Sequence, residues 1–196
     1  TFYLGFSIVT SASETMPAQL KGMGKVEFIV MMALLMALNA LAIDIMLPGL
    51  QEIGASLGVE NENHRQYVVS AYLVGFGIAQ LFYGPLSDRF GRRLPMLIGL
   101  IIYIISALAI VAVPSFGLML ALRFIQGVGS AATRVITVSI VRDVYGGRRM
   151  AEAMSLIMMV FMVVPVIAPG IGQTVMLVGN WHLIFLFIAV AGLIVT

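Results

Sequence analysis

Two ionisable side chains are read here as lying well inside long apolar runs, Asp44 in the first run and Arg123 in the fourth. A charge at membrane depth costs about 3 kcal/mol on insertion scales, so each is a functional hypothesis by default. If the first run points outward, Asp44 lies three or four residues from its outer end, about 5–6 Å at the helical rise. The fourth run returns inward from about Ser115, which puts Arg123 about 10–12 Å below the same surface. The two therefore share a depth within reach of an arginine side chain. Gln126 follows Arg123 by three residues on one helical face and extends the hydrogen-bonding groups toward the centre. An aspartate beside an arginine is proton-responsive: protonation weakens the attraction and changes the local field, which can tie proton binding to a change of shape. The plainer alternative is a headgroup-level Asp44 and a snorkelling Arg123.

Other clusters sit at the ends of runs. Residues 84–93, Gly-Pro-Leu-Ser-Asp-Arg-Phe-Gly-Arg-Arg, place four charges between two apolar stretches. Asp88 falls at the inward, C-terminal end of the second run, where a negative charge opposes the helix dipole, and Arg92 four residues on can compensate it. Gly84 and Gly91 would permit close helix approach and a tight turn. In the fifth run Pro165 and Pro169 each remove a backbone hydrogen bond and bend the helix, and Gly170 and Gly172 follow. The chain has no cysteine, hence neither a disulfide framework nor a thiolate metal site, and no metal or cofactor is expected. Gly127-Val-Gly129-Ser-Ala-Ala lacks a preceding strand and reads as small-residue helix packing rather than a dinucleotide loop. With no metalloprotease pair, nucleophile motif or phosphate loop, an enzyme is not expected.

The elements that carry these residues follow from composition. The chain is 61% hydrophobic and only 10% charged, against the usual quarter of charged residues in a soluble domain. Runs of about 20 apolar residues at about 26–47, 67–87, 94–113, 116–139 and 154–178 are read as spans, and a sixth at 183–196 as an incomplete one. Residues 1–25 are read as an N-terminal extension, of which 1–22 carry little functional weight, and 26–196 as the transmembrane bundle. Lysine and arginine gather before the first span (Lys21, Lys25), between the second and third (Arg89, Arg92, Arg93) and between the fourth and fifth (Arg142, Arg148, Arg149). Alternate links are poor in them, which sets the N-terminus inside. Trp181, Tyr67 and Tyr145 near span ends suit interfacial anchoring. A net charge of +2 gives no nucleic-acid surface.

With these residues in view, the chain resembles the N-terminal six-helix half of a major facilitator superfamily transporter, nearest the drug:proton antiporter branch of the bicyclomycin-resistance type. Gly84–Arg93 is similar to the loop signature between the second and third helices. Arg123-Phe-Ile-Gln126-Gly127-Val-Gly129 is similar to the helix-four signature, Ala168-Pro-Gly-Ile-Gly172 to the helix-five antiporter signature, and Ile43-Asp44-Ile-Met-Leu-Pro48 to the helix-one signature. Gln173 departs from the pattern, where a small residue is usual. The resemblance implies an all-α polytopic fold with 3+3 inverted repeats, a missing C-terminal six-helix half, and export of amphipathic drug-like molecules against protons across the cell inner membrane by alternating access. It implies roles as well: Asp44 and Arg123 in proton coupling, both with Gln126 at the substrate cavity, and Gly84, Asp88, Arg89, Gly91, Arg92 and Asp143 in a cytoplasmic latch. Pro165, Pro169, Gly170 and Gly172 would form a kink and outer seal. The rival readings are a facilitator for one sugar or metabolite and a non-transporting half-transporter fragment.

Overall fold

A computed structural model describes residues 24–196; the expectations for residues 1–22, and most of the proposed 1–25 extension, lie outside the described residues. Among the described residues nine helical segments follow in chain order: α1 (Lys25–Asp44), a 3-10 turn (Leu47–Gly49), α2 (Leu50–Ser56), α3 (Glu62–Arg65), α4 (Tyr67–Phe90), α5 (Arg93–Ile110), α6 (Phe116–Val144), α7 (Gly147–Val178) and α8 (His182–Val195). Among the described residues there is no strand. Five stretches are long and apolar enough to cross a membrane, and α8 is a shorter apolar helix. The architecture is thus the expected all-α, polytopic one, with five full spans and a short sixth.

Several boundaries differ from the hydropathy reading. Helix α4 continues to Phe90, so Gly84–Phe90 is helix and only Gly91 and Arg92 separate it from α5. Likewise α6 runs to Val144 and α7 begins at Gly147, well beyond their apolar cores. A helix closes its own backbone hydrogen bonds whatever its side chains, so charged turns can project past the hydrocarbon. The first helix ends sooner than expected, at Asp44 rather than near residue 47. Pro48 lacks the N–H that would bond to the Asp44 carbonyl, and the chain tightens there into the 3-10 turn. Helix α7 runs on through both Pro165 and Pro169.

Helix α6 is the hub, packed against α4, α5 and α1 and lightly against α7; α1 also bears on α7 and α8. Lipid tails are as apolar as leucine, so close backbone approach rather than water exclusion holds such helices together. At the α4–α6 crossing a Cβ on Gly127 would collide with the Tyr72 carbonyl, and one on Gly75 with the Phe124 carbonyl. Gly172 lets α7 press on the Ile45 carbonyl in the same way. Neither Gly84 nor Gly170 has such a neighbour: a Cβ at either position meets nothing within 4 Å among the described residues. The close approach expected of Gly84 is therefore not made here. Trp181 also departs from expectation. It is 2% exposed, stacked on His182 at 3.7 Å and edge-on to Phe185 at 5.9 Å, so it is a core residue at the start of α8 rather than a lipid-facing anchor.

Candidate functional site

Arg123 is fully buried between α1, α4 and α6. Its Nη1 donates to Gln126 Oε1 at 2.8 Å, Nη2 to the Ala42 carbonyl at 3.1 Å and Nε to the Val68 carbonyl at 3.3 Å. The Tyr72 ring lies 4.6 Å from the guanidinium carbon and the Phe185 ring 5.7 Å, within cation–π range. The expected pairing with Asp44 is not made. Among the described residues Asp44 has no ion pair, and it is only half-buried.

Arg123 does reach α1 two residues before Asp44, but what it meets there is a backbone carbonyl rather than the acid. The last four carbonyls of a helix have no intrahelical partner and together carry about half a negative charge. Ala42 is one of the last four residues of α1. The helix terminus thus supplies the counter-charge, and Arg123 satisfies one of its orphan carbonyls. A carboxylate at the same terminus, on Asp44, opposes that dipole.

A second polar group lies one to two turns deeper and was not foreseen. The Tyr72 hydroxyl is 2.9 Å from Asn39 Oδ1 and 2.7 Å from Ser130 Oγ, and Ser130 Oγ is 3.2 Å from Asn39 Oδ1. A hydroxyl holds one proton, so Tyr72 and Ser130 each donate once, and the three oxygens sit in a small ring of close contacts of which two are hydrogen bonds at any moment. Asn39, Tyr72 and Ser130 stand on α1, α4 and α6 and are all buried. The Tyr72 ring under Arg123 joins the two clusters into one. The signal was available, because a lone asparagine in an apolar span is costly unless paired. Arg134 was overlooked as well, although it falls inside the span expected at 116–139.

The inner charges form a different kind of site. Gly91 has φ +81°, the left-handed value that favours glycine, and it turns the chain from α4 to α5. Arg92 then reaches both ways: Nη1 to Asp88 Oδ1 at 2.5 Å and to Ser87 Oγ at 2.6 Å, Nε to Asp143 Oδ2 at 2.9 Å. Ser87, itself donating to the Gly84 carbonyl at 2.9 Å, is a partner that sequence reasoning missed. The Arg92 side chain is 24% exposed, Asp143 42% and Asp88 62%. The hydrogen bond to Asp143 raises Arg92 above the ordinary arginine value, desolvation takes part of this back, and Asp88 adds to it. Arg92 therefore stays charged, and its contribution intact, at any pH below that ordinary value. Arg89 stands apart, exposed, with its guanidinium 5.4 Å from the ring of Phe90 beside it. A cleft of about 920 Å³ opens at the same end of the bundle, between the starts of α1 and α5 and the ends of α6 and α8, and holds none of Asp44, Arg123 and Gln126.

Comparison with known proteins gives the family. Residues 28–196 match the family model described as Major Facilitator Superfamily. The chain is 35% identical over 167 residues to the bicyclomycin resistance protein homolog of Haemophilus influenzae, covering 85% of this chain and 42% of that protein. It is 34% identical over 171 residues to multidrug resistance protein D of Escherichia coli, covering 87% of this chain and 43% of the relative. A third relative, multidrug resistance protein MdtL of Shewanella oneidensis, is 35% identical over 153 residues, covering 78% and 38%. The chain thus spans less than half the length of the curated relatives it matches. Five apolar spans hung on an α6 hub, and a family match over nearly all the described residues, lead to one assignment: the chain belongs to the major facilitator superfamily.

Proposed function

We propose that this chain forms the N-terminal half of a proton-coupled efflux transporter that exports amphipathic drug-like molecules by alternating access, in the inner membrane with its N-terminus cytoplasmic. The observation that carries this reading is the buried Arg123 cluster, a cation and six polar groups tied across α1, α4 and α6 at the depth where α1 ends in Asp44. Polar groups at membrane depth face a bundle interior or a watery path, and in this reading the fully buried cluster backs the wall of the transport cavity. The names of the relatives, which are resistance proteins, support drugs as substrates. Asp44 is the proton-responsive acid in this reading, acting at the helix terminus instead of in a pair with Arg123. Protonation removes a charge that the α1 dipole and low dielectric both oppose, and so biases one conformation over another. Gly84, Asp88, Gly91, Arg92 and Asp143, with Arg89 at their edge, serve as the inner latch. Pro165, Pro169, Gly170 and Gly172 serve as the outer seal, Gly172 already packed on Ile45.

The deciding experiment expresses the complete gene in a drug-hypersensitive host and follows extrusion of a fluorescent cationic dye with and without a proton gradient. Export should need the gradient, and Asp44→Asn should abolish that dependence while Arg123→Ala abolishes export. Gradient-independent movement of a single sugar or metabolite would establish the facilitator instead.

A further inference from the structure

Helix α6 carries a second guanidinium that nothing above employs. Arg134 lies 11 residues past Arg123, about 16–17 Å along the axis and only about 20° around it. It also lies about 12 Å short of Arg142 at the inner end, well within membrane depth. Gln126, Ser130 and Thr137 share this face, and each is fully buried. The face therefore looks into protein, not lipid, and a charge placed on it looks the same way. Yet Arg134 is half-buried rather than enclosed, beside α7, whose surface is the least covered of the spans. Its guanidinium carbon lies 5.7 Å from the Phe161 ring of α7. Among the described residues it has neither an ion pair nor a hydrogen bond.

Its neighbour is short of an acceptor too. Thr137 Oγ1, one turn on, is buried with no hydrogen-bond partner; Gln126 Nε2 is unpartnered too, but lies about 12 Å back along α6 and outside the reach of the same ligand. A guanidinium and a hydroxyl side by side on one face can both donate, and a buried donor left unmet is costly. The matching ligand is an acceptor with negative charge. We propose that Arg134 binds an oxyanion (carboxylate, sulfonate or phosphate) carried by an amphipathic substrate, whose apolar body lies against Phe161. The inference rests on the efflux reading and extends it: the cavity has an anion-reading position about three turns inward of Arg123, so its substrates include amphipathic acids.

The test uses the complete transporter in vesicles of phosphatidylcholine alone and, in parallel, of phosphatidylcholine with phosphatidylglycerol. The probes are fusidate, an amphipathic carboxylate, and ethidium, an amphipathic cation. Arg134→Gln should raise the KM for fusidate at least about tenfold in both vesicle types, the scale of one lost charge-assisted contact, with ethidium export unchanged. Arg134→Lys should restore most of the fusidate affinity. Equal loss of both probes would assign Arg134 a structural role and overturn the proposal, as would a fusidate effect confined to vesicles with the anionic lipid, which would point to a headgroup. A wild-type protein that exports ethidium but never fusidate would also overturn it while leaving efflux intact. Export of neither probe would bring down the efflux reading itself.

Discussion

Arg123 and Arg92 solve opposite problems. The first is fully buried and has no acid, only two carbonyls, an amide oxygen and aromatic faces. The second is partly exposed and has two acids and a serine. Net charge would suggest that Arg92 is held more tightly, but solvent reverses the order. Exposed ion pairs contribute about 0–1 kcal/mol, because water already serves both partners and salt screens what is left. In the dry cluster no water can replace a lost bond, so each one carries its full desolvation cost. A contact that must open and close in every cycle belongs in the wet cluster, and one that must persist belongs in the dry one.

Substitutions at the two sites should therefore separate widely. Arg123→Ala strands the Ala42 and Val68 carbonyls and Gln126 and leaves a void, so it should cost about 3 kcal/mol or more, read as a large fall in the thermal midpoint in detergent. Tyr72→Phe keeps the ring beneath Arg123 and removes only the hydroxyl, which should cost about 1–2 kcal/mol in the same assay. If Tyr72→Phe proved as damaging as Arg123→Ala, the Asn39–Tyr72–Ser130 ring, not the cation, would be the main fastening. Arg92→Ala should cost under about 1 kcal/mol, and the difference from wild type should shrink further in about 1 M salt. Its stronger effect should be on conformation, with cysteine labels at the inner end becoming more reactive. Arg89→Ala, whose guanidinium lies over Phe90 and makes no ion pair among the described residues, should leave the midpoint unmoved. A large effect there would mean that the wet cluster is wider than Arg92 and its three partners.

How much of this could be read in advance depended on whether one residue or a relation between residues was at stake. The spans were legible because apolar length alone decides them, and the Asp88–Arg92 pair because i,i+4 spacing across a short turn brings the two together. Asp143, 51 residues from Arg92, was reached only through the family resemblance. Helix ends were not legible, since the turns around Asp88 and Asp143 lose hydropathy without losing hydrogen bonds. The partner of Arg123 was misjudged for a deeper reason. Side chains are written in the sequence, whereas the negative end of α1 is a property of backbone carbonyls that becomes visible only once Pro48 is seen to stop the helix. Asn39, Tyr72 and Ser130 are 33 and 58 residues apart along the chain and meet only through the glycine-lined crossing of α4 and α6.

The grip of Arg123 on Ala42 and Val68 bears on how the molecule can move. One side chain rooted in α6 is fastened to the backbones of both α1 and α4, so the outer tips of these three helices form a tripod that cannot splay without breaking it. In the alternating-access reading proposed above, any rocking that opens this side carries the tripod as a rigid piece. Spin labels beside Ala42 and Val68 should then keep a constant separation through the cycle, while their distances to helices beyond this half lengthen and shorten.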